Sequence, residues 1–459
     1  MDTQAYIASL EAENTALRQQ VKALEEKVML VLQQLERASV KKDSHNSHSP
    51  PSQDKGKTNS SLRQKSNRKS GGQPGHPGHT LKMSATPDQV HELKSAYCSA
   101  CGGDLLKASH ELVSRRQVIE IPPVHPLYEE YRQYGCRCGT CQHWQVAAYP
   151  EDVQAPIQYG STVLAQVAYW NVYQYLPYER LASMFNHVFG LPISQGSLAN
   201  LLSKASQKAR RIYDHIHERL LRVPYVGSDE TSARVAEKTW WIWRTTWCGW
   251  QTIEETYLVA SSNRGYDTIT DVFARGLPAA VVGSDRWAAQ LKTQAKGHQL
   301  CLSHLQRDVI WLEEQEGQTW CVAFRALLKE ALALRRRAEE RGWAFAVGDV
   351  EVVPLEHRLN ELLAQVVDRE RYEETARFQR SMLKYRNQLL VFLYDLNVPP
   401  DNNGSERALR KMKVKQKISG QFKTGQHDFC VLRSVIDTLI KRKLEVFPYL
   451  SRIMALHTT

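Results

Sequence analysis

Two Cys-x-x-Cys pairs, Cys98 with Cys101 and Cys138 with Cys141, constrain the fold of this 459-residue chain most strongly. Such pairs supply four thiolates at the corners of a tetrahedron, the ligand set of a closed structural zinc site. Five of the nine cysteines fall between Cys98 and Cys141, and this clustering favours a metal over disulfides. We therefore predict a zinc-binding domain over residues 86–150 that folds on Zn²⁺. Cys136 leaves the second pair open, because it could replace either of its neighbours.

The first 38 residues carry a heptad pattern. Its positions a and d are Ile7, Leu10, Asn14, Leu17, Val21, Leu24, Val28, Val31 and Leu35. β-Branched residues at a with leucine at d favour parallel two-stranded coils, and a polar residue at one a position fixes the register. We expect residues 1–38 to form a coiled-coil dimerisation helix. An amphipathic helix packed on its own chain is the alternative.

Charge and hydropathy limit the partners of the chain. Its net charge of +11 favours a polyanion such as nucleic acid. Residues 39–85 are rich in Ser, Asn, Gly, Pro and Lys, which predicts a basic flexible linker that either contacts DNA phosphates or only tethers its neighbours. Since no apolar run approaches the roughly 18 residues of a membrane helix, and no secretory signal is recognised, we expect a cytoplasmic protein without a membrane partner.

Residues 151–222 show helical periodicity. Gly190 and Pro192 could form the turn of a helix-turn-helix, with Gln195, Ser197 and Asn200 on its second helix. A plain helical bundle fits the same pattern, so DNA binding by this segment stays open.

Three carboxylates stand out after Pro224, where the pattern changes to strands. Two predicted strands end in the same Gly-Ser-Asp phrase, which gives Asp229 and Asp285. A lone Asp at such a place is more often a turn or cap residue. Glu406, however, falls in the first turns of a predicted helix far downstream. Together the three can hold two divalent ions for in-line displacement at phosphorus, and magnesium is the natural occupant.

A basic helix face accompanies the third acid. Arg410, Lys413 and Lys417 follow Glu406 at i+4, i+7 and i+11, and therefore share its face. Seven basic residues and one acid lie between positions 404 and 423. We predict that Arg407, Arg410, Lys413 and Lys417 bind DNA phosphates beside the metal site.

The order of these motifs resembles the transposases of the insertion-sequence 66 family. The resemblance rests on the zipper, the Gly-Gly-Gln-Pro-Gly-His-Pro-Gly phrase at 71–78, the paired knuckles, Asp-Glu-Thr at Asp229, the second strand-end Asp, and Asp-Asn-Asn-x-x-Glu-Arg-x-Leu-Arg at Asp401. It implies an RNase H-like DDE catalytic domain with Asp229, Asp285 and Glu406 as the triad that binds Mg²⁺ or Mn²⁺. It also implies cleavage and transfer of DNA strands at transposon ends into target DNA, in the bacterial cytoplasm at the nucleoid, with accessory proteins of the same element as further partners.

Two local features belong to this resemblance. Cys301-Leu-Ser-His304 resembles the Cys-x-x-His phrase found after the second Asp in such enzymes, which implies that His304 lies near the site. Both residues could instead be core residues, or could join His298 in a second zinc site. The second Asp is followed by Arg286-Trp287, where the family more often has Gly-Tyr.

We predict a multidomain α/β protein with an RNase H-like mixed-sheet catalytic domain and a helical insertion, plus an N-terminal coiled coil and a small zinc-binding β module. The predicted domains are the coiled coil 1–38, the linker 39–85, the zinc-binding domain 86–150, the helical domain 151–222, the first part of the catalytic core 223–303, the insertion 304–398, and the rest of the core 399–459. Within the insertion, 321–346 and 354–395 are predicted to form an antiparallel helical pair. Alternative functions are a non-catalytic zinc-containing DNA-binding regulator and a nuclease that cuts without joining.

Overall fold

The computed structural model describes residues 3–38, 75, 81–235, 238–248, 254–263, 265–420 and 422–456. The chain divides into two compact units, one of residues 61–126 and one of residues 1–60 and 127–459. Most of the predicted linker 39–85 lies outside the described residues. Among the helices that the structure describes, none is both long and apolar enough to cross a membrane.

Helix α1 spans Thr3–Ala38, as the heptad pattern predicts. Its described seam side chains are all exposed: Ile7, Leu10, Asn14, Leu17, Val21, Leu24, Val28 and Val31. The Leu35 side chain lies outside the described residues. The described part of the apolar stripe of α1 is therefore not buried against its own chain.

In the unit of residues 61–126, the described residues 75 and 81–126 form no helix and no strand beyond an isolated bridge. That bridge, between Tyr97 and Asp104, closes a tight loop at the first Cys-x-x-Cys pair. The second pair, in the other unit, lies in the loop of a short antiparallel hairpin, between β1 (Gly135–Arg137) and β2 (Trp144–Val146). Cys136 lies on β1, outside the loop that holds Cys138 and Cys141.

A helical segment precedes the central sheet. It comprises α2 (Ser161–Ala168), a π-helical turn (Tyr169–Tyr173), α3 (Tyr178–Phe189) and α4 (Gln195–Leu220). Gly190 ends α3 in the left-handed conformation at φ 63°, and Ser194 caps α4 by accepting the Ser197 N–H. The predicted turn between the two helices is therefore present. Along its length α4 buries one apolar face in the same core as the sheet, so it also serves as a packing helix.

Five strands of the described residues form the central mixed sheet, in the order β5-β4-β3-β6-β7. The strands are β3 (Tyr225–Val235), β4 (Lys238–Cys248), β5 (Glu254–Ser261), β6 (Leu277–Ser284) and β7 (Ala295–Leu300). β4 pairs antiparallel with both β3 and β5, whereas β6 pairs parallel with both β3 and β7. Short helices α5 (Tyr266–Val272) and α6 (Ala288–Leu291) make the crossovers.

The two faces of the sheet enter different cores because successive strand residues point to opposite sides. Val226 and Val282 join a core with α4 and the C-terminal helices. Tyr225 and Val281 join a second core, formed with the helical insertion. The catalytic-domain prediction of a helix-covered mixed sheet agrees with this layering.

The insertion begins with α7 (Leu302–Glu316) and continues through α8 (Thr319–Arg341), α9 (Val353–Ala364), α10 (Glu373–Lys384), a 3₁₀ turn (Arg386–Gln388) and α11 (Val391–Tyr394). The prediction of one helix over 354–395 is therefore wrong. Asp368 interrupts it, because its Oδ1 accepts the N–H groups of Glu370 at 3.0 Å and Arg371 at 3.2 Å and closes a turn.

Both outer strands of the sheet are covered. On β5, the N–H of Leu258 donates to Ser434 Oγ at 2.8 Å, and the N–H of Thr256 donates to Thr438 Oγ1 at 3.2 Å. Both hydroxyls belong to α13 (Gln426–Lys441), which follows α12 (Asn403–Ser419) and precedes α14 (Val446–Ala455). On β7, Gln299 Nε2 donates to Leu389 O at 3.1 Å. On β5 two hydroxyl side chains thus accept edge N–H groups that would otherwise be unpaired, whereas on β7 the Gln299 side chain joins the strand to the insertion.

Candidate metal centre

The parallel pairing of β3 with β6 aligns the two Gly-Ser-Asp phrases. Gly227 pairs with Gly283, so Asp229 and Asp285 each lie two residues beyond the paired glycines. Residues two apart on a strand point to the same face. The two carboxylates therefore leave neighbouring strands on one side of the sheet, the side that also carries Tyr225 and Val281.

The strand-end interpretation of Asp229 needs a correction. Asp285 directly follows the last residue of β6, as predicted, but β3 continues through Asp229 to Val235. In that continuation Asp229 pairs with Arg244 of β4. What ends near Asp229 is the parallel pairing with β6, since its last paired residues are Gly227 and Gly283.

Both glycines are required by what lies above them. A Cβ built on Gly283 would fall 2.0 Å from Tyr225 Oη, and one on Gly227 would fall 2.6 Å from both Asn402 Oδ1 and Ser405 Oγ. The start of α12 therefore lies directly on β3, two residues before Asp229. Glu406 occupies the first turn of that helix, and its side chain lies outside the described residues.

Backbone amides orient the two aspartates. Asp229 Oδ1 accepts the N–H of Glu230 at 2.9 Å, and Asp285 Oδ1 accepts the N–H of Trp287 at 2.9 Å. Both carboxylates are half-buried. They are hard oxygen donors of the kind that Mg²⁺ and Mn²⁺ prefer, so the two residues fit a divalent-ion site.

Neighbouring residues fix the segments that carry the two acids. Gln290, which is fully buried, donates its Nε2 to Glu230 Oε2 at 2.7 Å. Arg286 forms an ion pair with Asp308 of α7, and its guanidinium lies 4.7 Å from the ring centroid of Phe378 on α10. Arg286, which stands where the family more often has Gly, thus joins the loop after β6 to the insertion.

Cys301 and His304 fall at the start of α7. Cys301 is the N-cap residue and is buried, and His304 is half-buried in the first turn. Among the described residues, no group of three or more His, Cys, Asp and Glu side chains could hold a metal ion. This holds for His298, Cys301 and His304, and equally for the four cysteines of the Cys-x-x-Cys pairs, all of which are described. The Nε2 of His298 lies 3.1 Å from Thr293 O.

The basic residues of α12 separate by helix face. Arg407, Arg410 and Lys417 are exposed, and Lys413 is half-buried. Leu409 and Met412 face the core. The four residues predicted to bind phosphates therefore lie on or beside the solvent-exposed face of α12, the helix that starts next to Asp229.

Comparison with known families identifies the chain. Residues 156–427 match the Transposase IS66 family, and residues 2–82 match a family of unknown function, DUF6444. The chain belongs to the IS66 transposase family. The predicted membership is thereby confirmed, and it identifies a DNA-processing enzyme family. A comparison with curated proteins finds no match.

The match of this IS66 transposase begins before α2 and ends in the first turn of α13. It includes Asp229, Asp285 and Glu406 and the whole helical insertion. The Cys-x-x-Cys pairs lie between the two matched regions.

The two Cys-x-x-Cys loops of the transposase have the same backbone structure. Cys98 N donates to Gly103 O at 2.8 Å and Gly102 N donates to Cys98 O at 2.9 Å. In the second loop Cys138 N donates to His143 O and Gln142 N to Cys138 O, both at 2.9 Å. The residue after each second cysteine adopts positive φ, 74° at Gly102 and 57° at Gln142.

Backbone N–H groups next to the first sulfur of each loop favour its thiolate form. Backbone N–H groups of Ala100 and Cys101 lower the pKa of Cys98, and those of Cys141 and Thr140 lower the pKa of Cys138 to about 7. This donor set fits zinc, which binds thiolates held in such turns. The loop geometry favours Cys138 with Cys141, rather than Cys136, as the second pair.

Sequence reasoning missed Asn402. Its side chain is buried, and its Nδ2 donates to Ser228 O at 2.7 Å, which joins α12 to β3 beside Asp229. The position of Asn402 within the quoted Asp-Asn-Asn-x-x-Glu-Arg phrase was the available signal. Its partner could not be read from the sequence, because Ser228 lies 174 residues away.

Proposed function

We propose that this transposase binds the ends of a bacterial insertion sequence and catalyses DNA strand cleavage and strand transfer by a two-metal DDE mechanism. Asp229, Asp285 and Glu406 bind the two ions. The observation that carries the proposal is the Gly227–Gly283 register, which aligns two identical Gly-Ser-Asp phrases on one face of the sheet beneath the start of α12.

An RNase H-like catalytic domain is part of the proposal. Its support is the order of the sheet, in which three antiparallel strands are followed by two parallel ones across a central β3. The helical insertion between β7 and α12 separates the two aspartates from Glu406 in sequence. The chain returns to the sheet after the insertion, which accounts for the spacing of the three acids.

The residues of the chain have separate tasks in the proposed reaction. When bound, Mg²⁺ or Mn²⁺ would activate the attacking oxygen and stabilise the leaving one. The backbone N–H groups of Glu230 and Trp287 hold Asp229 and Asp285 in fixed orientations. Arg407, Arg410, Lys413 and Lys417 bind the phosphates that flank the cleaved bond.

The test is an assay of purified full-length protein with labelled transposon-end DNA and Mg²⁺ or Mn²⁺. Asp229→Asn, Asp285→Asn and Glu406→Gln should each reduce nicking and joining by at least about a hundredfold, because each removes a metal ligand, and even the loss of an outer-shell partner lowers activity by about 10- to 100-fold. DNA binding should be retained, because the phosphate-binding residues are unchanged. Glu230→Gln is the matched control. It keeps the acceptor for Gln290 and points to the opposite face from Asp229, so it should stay within about threefold of wild type.

Two other functions are distinguished by the same assay. Nicking without joined products would favour a nuclease. DNA binding with neither nicking nor joining, under either metal and with accessory proteins of the element supplied, would favour the regulator. Both results would contradict the transposition mechanism proposed for this chain at the bacterial nucleoid.

We also propose that Cys98, Cys101, Cys138 and Cys141 bind one structural Zn²⁺. The support is the shared backbone geometry of the two loops and their lowered thiol pKa values. Metal analysis of the purified protein should give one zinc per chain, and Cys138→Ser should remove it, whereas Cys136→Ser should not. Retention of zinc in Cys138→Ser together with its loss in Cys136→Ser would contradict this ligand set.

A further inference from the structure

Two buried residues join the three chain segments that carry the carboxylates. Asn402 Nδ2 donates to Ser228 O at 2.7 Å, and Asn402 N donates to Cys301 Sγ at 3.2 Å. Cys301 N in turn donates to Ser284 O at 2.9 Å. Cys301 and Asn402 are 2% and 3% exposed, so water competes little for these bonds.

Each bond ends close to a carboxylate in the sequence. Ser228 directly precedes Asp229, Ser284 directly precedes Asp285, and Asn402 lies four residues before Glu406. The chain of bonds therefore runs from one acid-bearing segment to the next, although its members lie 101 and 174 residues apart.

These bonds of Cys301 and Asn402 with Ser228 and Ser284 form a joint, and the packing around the joint leaves it little freedom. Asn402 Oδ1 lies 2.6 Å from the position of a Cβ on Gly227, so a side chain at Gly227 would displace Asn402. A backbone bond from Leu302 N to Pro400 O at 2.9 Å runs alongside the Cys301 contact. Together they hold the start of α12 against the start of α7.

We propose that Cys301 and Asn402 are positioning residues that align the three metal-binding carboxylates, with the Cys301 sulfur acting as a hydrogen-bond acceptor. This inference rests on the proposed metal site. Neither residue touches the reacting atoms. They act through Ser228, Ser284 and the first turn of α12, and small displacements of such supporting groups weaken metal binding by about 10- to 100-fold.

The Cys301 sulfur is placed to accept a hydrogen bond. It is buried, it receives the backbone N–H of Asn402, and no group of described side chains around it could hold a metal. The N–H of Asn402 needs an acceptor at this depth because an unpaired buried amide is unfavourable by about 1–3 kcal/mol.

The experiment measures Mn²⁺ affinity of the full-length protein by calorimetric titration, together with Mn²⁺-dependent nicking and thermal unfolding. Cys301→Ala removes the acceptor and should weaken Mn²⁺ binding by about tenfold or more. Cys301→Ser keeps an acceptor and should stay within about threefold. Cys321→Ala is the matched control, since Cys321 is also buried but lies on α8 and contacts Thr375 Oγ1 at 3.6 Å. It should leave Mn²⁺ affinity unchanged at a similar loss of stability.

A second variant keeps the test informative if Cys301→Ala does not fold. Asn402→Asp replaces the donating amide by a group of the same size that repels Ser228 O, and it should weaken Mn²⁺ binding as much as Cys301→Ala. The two changes combined should weaken binding by less than the product of their single effects, because they break one connected set of bonds.

The outcomes separate the joint from the metal site. Wild-type affinity for Mn²⁺ in Cys301→Ala or Asn402→Asp would overturn the joint and leave the metal site intact. Equal losses in Cys301→Ala and Cys321→Ala would also overturn it, since the effect would then be one of stability alone. If wild type and Asp285→Asn bound Mn²⁺ equally, or if neither bound it, the metal site and the joint would both be wrong.

Discussion

Lys415 shows how one residue of a basic helix is diverted from DNA binding. It is 6% exposed, its Nζ lies 3.5 Å from Asn171 O, and it is 5.8 Å from the ring centroid of Phe429. Burial lowers the pKa of Lys415 from 10.5 to about 8. Lys411 is also diverted, since it forms an ion pair with the buried Asp437 at 2.8 Å. Of the seven basic residues counted in the sequence, two therefore act in packing.

The lowered pKa of Lys415 predicts a pH dependence of stability. Between pH 8 and 10.5 the unfolded chain binds the proton that the folded chain has released, so the free energy of unfolding should rise with pH in this window. The full rise is about 3 kcal/mol. Lys415→Met should abolish it in urea unfolding measured at pH 7.5, 9 and 10. The exposed Lys417→Met is the control and should keep the wild-type profile; parallel profiles for both variants would contradict the assignment.

At the scale of the helix, α12 supplies the predicted DNA surface. Arg410 and Lys417 are exposed on it, whereas Arg358, an exposed arginine of the insertion, forms an ion pair with Glu330 at 2.5 Å. Arg410→Ala and Lys417→Ala should each lower the slope of log affinity against log salt for transposon-end DNA by about one. Arg358→Ala should leave the slope unchanged. An equal reduction in Arg358→Ala would mean that the surface of the insertion also binds phosphates.

Elements could be predicted from the sequence where the pattern is local. The change of pattern after Pro224 predicts the strands of the sheet, although β3 runs past the predicted strand end at Asp229 to Val235. The break at Asp368 was missed because helical periodicity continues on both sides of it. The register of Gly227 with Gly283, and the bond from Asn402 to Cys301, depend on contacts between distant segments. A local sequence pattern does not predict such contacts. The three acids could therefore be proposed from the sequence, but the hydrogen bonds that join their segments could not.

At the scale of the whole molecule, the exposed seam of α1 is the predicted surface for a second copy. Its a positions Ile7, Val21 and Val28 and its d positions Leu10, Leu17 and Leu24 are all exposed within the described residues. Six apolar side chains exposed along one face of a helix mark that face as a candidate surface for association. A dimer formed there would contain two of the proposed metal sites.

The dimer prediction is tested on the full-length protein by light scattering coupled to size-exclusion chromatography. Val21→Asp with Leu24→Asp places charges at adjacent a and d positions and should convert the dimer, or a higher assembly built on it, to a monomer. Gln19→Asp is the matched control, because Gln19 lies on the opposite side of α1 and is exposed. It should leave the mass unchanged. If the double variant kept the wild-type mass, assembly would not depend on the seam; if it became a monomer with wild-type nicking but without joining of paired ends, dimerisation would be required for strand transfer and not for cleavage.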